Sequence, residues 1–236
     1  MEKQFQDLIK KVDKKFKPIS IFLYGSRART DFLEYSDYEV GLLYSSKQEI
    51  SRTELKKFNP IKSIIFYPFE YESFLKYIID TPFPEIIYFR ELILGGKTIS
   101  GQKVIEELKP PPVKILDLLQ RISFDIGVAF AAVLSYRRGD LITAGMEFSK
   151  SCLFGIRCLI ILQHKAFPLN YDEIYQASLK LKLGPYSQVV KHALDVRQGK
   201  KLSEASIYHN ISLLNEMVKE KILEVFEKKG NIIVLN

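Results

Sequence analysis

Residues 19–44 carry the pattern that most constrains this chain. An apolar run, Ile19-Ser20-Ile21-Phe22-Leu23-Tyr24, leads into Gly25-Ser26-Arg27-Ala28-Arg29-Thr30. After Asp31 to Ser36, a second apolar run opens on acids: Asp37-Tyr38-Glu39-Val40-Gly41-Leu42-Leu43-Tyr44. The pattern predicts two strands joined through a small-residue turn. Alternation along a strand sends Asp37 and Glu39 to one face and Tyr38 and Val40 to the other. Two carboxylates that close repel unless a cation lies between them. Oxygen ligands at that density suit Mg²⁺ or Mn²⁺, with phosphates completing the shell. Gly25 lets a phosphate approach the backbone, and Ser26 offers a hydroxyl and an N–H.

The flanking segments suggest a layered first half. Phe5, Leu8, Ile9, Val12 and Phe16 fall at helical spacing in residues 4–17, and Pro18 ends that helix. Residues 38–44 are apolar on both faces after the acids, as a central strand would be. A third strand is expected over residues 61–69, ending at Pro68, with a short helix at 47–58 and helices at 70–79 and 84–94. Gly95-Gly96 is a turn before a short extended piece at 97–99. Lys109-Pro110-Pro111-Pro112 then marks a boundary, because three prolines cannot continue a helix. Beyond it, residues 114–137, 141–165, 171–182, 186–197 and 203–229 read as helices, punctuated by Gly139, Pro168, Gly184-Pro185 and Gly199. A closing strand is expected at 232–235. The expected class is α+β: a small mixed sheet over residues 1–109, followed by an all-α bundle over 113–236.

The two-strand pattern resembles the nucleotidyltransferase superfamily that includes DNA polymerase beta and kanamycin nucleotidyltransferase. The likeness is greatest to the minimal nucleotidyltransferases. Their signature is hydrophobic-Gly-Ser, a spacer of roughly ten residues, then Asp-hydrophobic-Asp/Glu-hydrophobic; Tyr24-Gly25-Ser26 and Asp37-Tyr38-Glu39-Val40 fill it. The resemblance implies that Asp37 and Glu39 are catalytic and hold divalent ions, Mg²⁺ or Mn²⁺. It implies that Gly25, Ser26 and Arg27 contact a nucleoside triphosphate. The reaction implied is two-metal in-line displacement at the α-phosphate, AMP from ATP passing to an acceptor and pyrophosphate leaving. The chain departs from the family at three places. Thr30 stands where the family usually has Gly, and Glu39 stands for the commoner second Asp. The third acid, which active members take from the later strand, has no counterpart in Ile61-Lys62-Ser63-Ile64-Ile65-Phe66-Tyr67-Pro68-Phe69. Glu70 and Glu72 lie just beyond and read as helix N-terminal acids. A domain without that acid could bind a nucleotide, or act like an antitoxin, without turning it over.

The apolar helix over residues 141–169 and the turn at Pro168 resemble the HEPN and kanamycin-nucleotidyltransferase C-terminal bundles. That likeness implies a domain holding the acceptor, be it a small molecule, a protein or an RNA end, and it allows a homodimer through the helical half. Some HEPN proteins are ribonucleases with an Arg-x(4–6)-His motif. Arg157 and His164, seven residues apart on one helix face, are spaced to match it. Against that reading stands a simpler one: a snorkelling arginine and a histidine complementing a helix C-terminus. The three histidines lack zinc-site spacing. Phe124, Phe130, Tyr136, Phe148 and Phe154 fall at helical spacing and are expected in the core.

The formal net charge of +7 is spread along the chain and permits an anionic partner without demanding one. Cys152 and Cys158, six apart on a helix, cannot face each other, which favours a reduced, cytoplasmic protein. The polar N-terminus has no signal-peptide pattern, and the short apolar stretch 127–134 suggests no membrane association.

Overall fold

A computed structural model describes residues 2–34, 36–48, 50–79 and 84–236. The chain divides into two compact units, Met1–Pro111 and Pro112–Asn236.

In the first unit, helix α1 (Glu2–Phe16) leads into strand β1 (Ser20–Tyr24). The short helix α2 (Gly25–Arg29) follows at once, so Gly25-Ser26 opens a helix where the sequence suggested a plain turn. Strand β2 spans Tyr38–Tyr44, helix α3 Arg52–Phe58 and strand β3 Ile64–Glu70. Then come α4 (Tyr71–Phe74), α5 (Glu85–Gly95), β4 (Lys97–Gly101) and α6 (Val104–Glu107). The sheet order is β3-β2-β1-β4. β1 runs antiparallel to β2 and to β4, while β2 and β3 are parallel.

Strand alternation builds a core on each face. On one side Tyr38, Val40 and Leu42 pack with Phe5, Leu8, Ile9, Val12 and Phe16 of α1. On the other, Phe22, Tyr24, Leu43 and Phe69 pack with Phe74, Phe89, Leu92 and Ile105. β2 is therefore covered on both sides, as its double-faced apolarity suggests. β3 passes through Pro68 to Glu70, further than expected. It is the edge strand, where a missing N–H costs no ladder bond on the open side.

The second unit opens with a two-residue strand, β5 (Val113–Lys114), which the sequence reading had not separated from the helix. It pairs with the closing strand β6 (Ile233–Leu235). Between them lie α7 (Ile115–Arg137), α8 (Leu141–His164), α9 (Tyr171–Ser178), a 3₁₀ turn (Gly184–Tyr186) and α10 (Ser187–Arg197). The last long helical run is interrupted: α11 (Glu204–Ser212) passes through a π-helical stretch (Leu213–Lys219) into α12 (Glu220–Lys229). By length and composition α7 is apolar enough to cross a bilayer, which the sequence reading missed by weighing only its 127–134 stretch. It nevertheless carries a buried ion pair, Arg121 donating to Asp125 at 2.9 and 3.0 Å, and packs along α8, as a bundle helix does. Phe148 is fully buried as expected, whereas Phe130 is 51% exposed.

Gly41 sits across the ladder from Phe22, whose ring fills the space a side chain would take. A Cβ at Gly41 would lie 2.1 Å from the ring's Cζ, and the ring is held by Tyr24, Phe69 and Phe74. Gly41→Ala is expected to destabilise the first unit by about 1–3 kcal/mol through overpacking, read from its unfolding midpoint in urea.

Candidate active site

β1 delivers Tyr24 to the end of the sheet, and the chain turns there into α2 with Gly25 at φ +71°. Directly opposite, Tyr24 pairs with Glu39 in the antiparallel ladder. The Glu39 side chain folds over Gly25 so closely that a Cβ at Gly25 would fall 1.8 Å from its Oε2. The backbone angle, which L-residues rarely take, favours glycine here, and any side chain would also push the Glu39 carboxylate from its place. Asp37 lies just before β2 and is exposed, while Glu39 is half-buried. The amide of Tyr38 between them donates to the Ser63 carbonyl at 2.8 Å, anchoring this end of β2 to β3.

Three tyrosines surround this pair: Tyr24 of the motif itself, and Tyr67 and Tyr88, which the sequence reading passed over. Tyr67 lies on β3, and its phenol is pushed up first by burial and then by the charges of Glu39 and Asp37, with Arg52 opposing. Both acids therefore act on one hydroxyl. Tyr88 of α5 donates to the Tyr24 hydroxyl at 3.0 Å. Burial dominates the upward shift of both phenols, and Glu39 adds to each. The signal for Tyr67 was the shared register: Glu39 pairs with Ile65 and Gly41 with Tyr67, so Tyr67 sits one alternation further along the face of Glu39.

The same register decides the place of Glu70. It pairs with Tyr44, five residues beyond Glu39, or about 16 Å along the strand. Its carboxylate caps α4, accepting from the Ser73 N–H at 2.8 Å. Hydrogen bonding with Glu72 and then with Ser73 draws it down to about 2. Among the described residues no cluster of three or more His, Cys, Asp or Glu side chains is placed to share a metal ion.

The basic residues of α2 have protein partners that the sequence did not point to. The Arg27 guanidinium donates to the Ser36 carbonyl from Nε (3.1 Å) and Nη2 (2.9 Å), and to the Glu34 carbonyl from Nη2 (3.0 Å). Arg29 pairs with Asp31 at 3.4 Å, and its methylenes run along Gly95 of α5. Thr30 ends α2 at φ +70°, a left-handed conformation costly for a β-branched residue. That geometry explains why this position favours glycine. In the second unit, Arg157 is buried between the Phe154 and Phe167 rings, 4.7 Å from each centroid, while His164 is exposed. The two are not presented together on the surface.

The nucleotidyltransferase domain family matches residues 6–124, just over half of the chain. The chain belongs to this family. Among solved structures, spectinomycin adenyltransferase AAD(9) from Enterococcus faecialis, determined with ATP and spectinomycin, overlays 92% of this chain and 99% of its own. The TM-score is 0.58 at 13% identity, which establishes a common fold. A nucleotidyltransferase candidate from Sulfolobus solfataricus, also 13% identical, overlays 42% of this chain and 79% of its own, with a TM-score of 0.30, too slight to inform the fold. No protein of curated function matches the chain significantly. Membership of the nucleotidyltransferase domain family supports nucleotidyl transfer in general, and AAD(9) shares the fold.

Two predictions follow from this geometry. Gly25→Ala should lower stability by about 1–2 kcal/mol, because its backbone is left-handed. It should also weaken Mn²⁺ binding by displacing Glu39; a variant that binds Mn²⁺ as wild type does would show the packing to be dispensable. Glu70→Gln should leave turnover unchanged, whereas loss of a general base would cost about 10²–10⁴ in rate. The carboxylate is depressed, so its cap acts fully above about 4.3 and fades as pH falls towards about 2. Unfolding midpoints of wild type and Glu70→Gln should therefore converge over that range.

Proposed function

We propose that the protein transfers a nucleoside monophosphate, AMP from ATP, to an acceptor hydroxyl. The observation that carries this reading is the seating of the Glu39 carboxylate on Gly25, which joins a candidate metal ligand to a candidate phosphate grip. Asp37 and Glu39 form a hard, anionic oxygen pair beside a glycine cradle, a donor set that fits Mg²⁺ or Mn²⁺. When bound, such a cation neutralises the triphosphate and acidifies an attacking hydroxyl. Ser26 offers its hydroxyl and N–H to the phosphates, and Asp37 and Glu39 hold their charge towards the same space. The partially buried Tyr24–Tyr88 pair limits water on the Glu39 side. In-line attack by the acceptor oxygen on the α-phosphorus would form the new P–O bond as the bond to pyrophosphate breaks.

ATP as donor draws support from the ATP-bound adenyltransferase of like fold. We assign residues 1–109 to nucleotide binding and 113–236, a HEPN-like bundle, to holding the acceptor. Whether that acceptor is a small molecule, a protein or an RNA end is the variable part of such systems. A second reading has its own support. β3 presents Ile65 and Tyr67 beside the acid pair and no carboxylate, which favours a nucleotide-binding module without turnover. The ribonuclease reading has less, because Arg157 is buried and His164 is not.

Incubation with Mg²⁺ and α-labelled ATP against candidate acceptors should release pyrophosphate and label the acceptor. Asp37→Asn and Glu39→Gln should each cut that release by at least about 100-fold. Equal release from the variants would overturn the transferase reading. Calorimetric binding of Mg²⁺-ATP with no pyrophosphate from any acceptor would establish the binding module instead.

A further inference from the structure

We propose that Arg27 is a positioning residue, closing the loop that carries Asp37 instead of contacting a phosphate. The inference rests on the nucleotidyltransferase reading of Asp37 and Glu39. Arg27 lies two residues after Gly25, and its side chain reaches across the whole spacer to its far end. Three hydrogen bonds hold it there: Nε and Nη2 both to the Ser36 carbonyl, and Nη2 to the Glu34 carbonyl. The Phe32 and Tyr38 rings lie 4.1 and 4.7 Å from its guanidinium carbon. One of these rings belongs to the spacer and the other to the strand that carries the acids.

Ser36 is tied down a second time. Its hydroxyl accepts from the Leu33 N–H at 2.9 Å, and its own N–H donates to the Leu33 carbonyl at 2.9 Å. The next residue is Asp37. A planar guanidinium thus links the first turn of α2 to the peptide group immediately before a proposed metal ligand. Lysine cannot substitute, since its ammonium offers neither the fork that spans two carbonyls nor a plane to lay against rings. A guanidinium spending Nε and Nη2 inside its own loop has only Nη1 left to present outward. Phosphate contact then falls to Gly25 and Ser26, and the grip and the metal ligand move as one piece through Arg27.

The test compares wild type with Arg27→Lys and Arg27→Gln by native-state amide hydrogen exchange and by Mn²⁺ binding without nucleotide. Loss of the fork should speed exchange at Ser36 and Leu33 by about tenfold in both variants, with Leu23 and Val40 in the β1–β2 ladder unchanged. Mn²⁺ affinity should fall by about tenfold in both, lysine faring no better than glutamine. Unchanged exchange at Ser36 and Leu33 would overturn the proposal. So would faster exchange throughout the ladder, which would mark loss of the fold. A lysine variant keeping wild-type Mn²⁺ affinity and losing only ATP affinity would also overturn it, showing a phosphate contact. If wild type bound neither Mn²⁺ nor ATP, the transferase reading would fall, and the exchange comparison would still decide the role of Arg27.

Discussion

The contact between the Glu39 carboxylate and Gly25 organises the nucleotidyltransferase unit. A strand end and the start of a helix meet there so closely that a Cβ at Gly25 would push the Oε2 of Glu39 aside. The contact lies at the end of the antiparallel ladder, where Tyr24 of β1 faces Glu39 of β2. It also obliges the chain to leave β1 with a left-handed residue and enter α2 without a linker. Around it stand three tyrosines: Tyr24 is buried, Tyr88 reaches Tyr24, and Tyr67 comes under the field of both carboxylates.

Strand alternation made much of this legible in the sequence. The two-faced apolarity of residues 40–43 pointed to a central strand, and the helical spacing of Phe5 to Phe16 pointed to a helix covering one face. The acids at 37 and 39 could be picked out as a pair for the same reason. What escaped was whatever depends on pairing between distant segments. Pro68 looked like a strand end because a proline seldom lies within a sheet, yet the edge position of β3 accommodates it. Tyr67 drew no notice, since its relation to Glu39 exists only through the parallel register. The hydrogen bonds of Arg27 run to residues seven and nine positions away, partners that its immediate neighbours do not signal. Phe130 has the spacing of a core residue and stands in solvent, because helical periodicity does not say which face a bundle leaves open.

The helical unit obeys a different constraint. Its long apolar helices bury charge as well as carbon: Arg121 with Asp125, and Arg157 between two phenylalanines. Removing one partner from such a buried pair costs far more than the pair contributes, so these groups narrow the ways the helices can pack. They also account for an apolar α7 that keeps charged residues within a length sufficient for a bilayer.

The acid pair and the edge strand together define what this site must do differently from a three-acid site. A third carboxylate on β3 would have to stand near the register of Ile65 to share a metal with Glu39, and that face offers Ile65 and then Tyr67. Glu70 is too far along the strand and is spent on capping α4. Tyr67 is a weak candidate for the base, because burial above all pushes its phenol up, and Glu39 and Asp37 add to the shift. A protonated phenol suits donation of a hydrogen bond to an anion better than removal of a proton from an attacking hydroxyl. If transfer occurs, that proton leaves by another route: to the triphosphate itself, to solvent, or to a base carried by the acceptor. Activity would then depend steeply on the acidity of the acceptor hydroxyl, a dependence that a built-in third carboxylate would flatten.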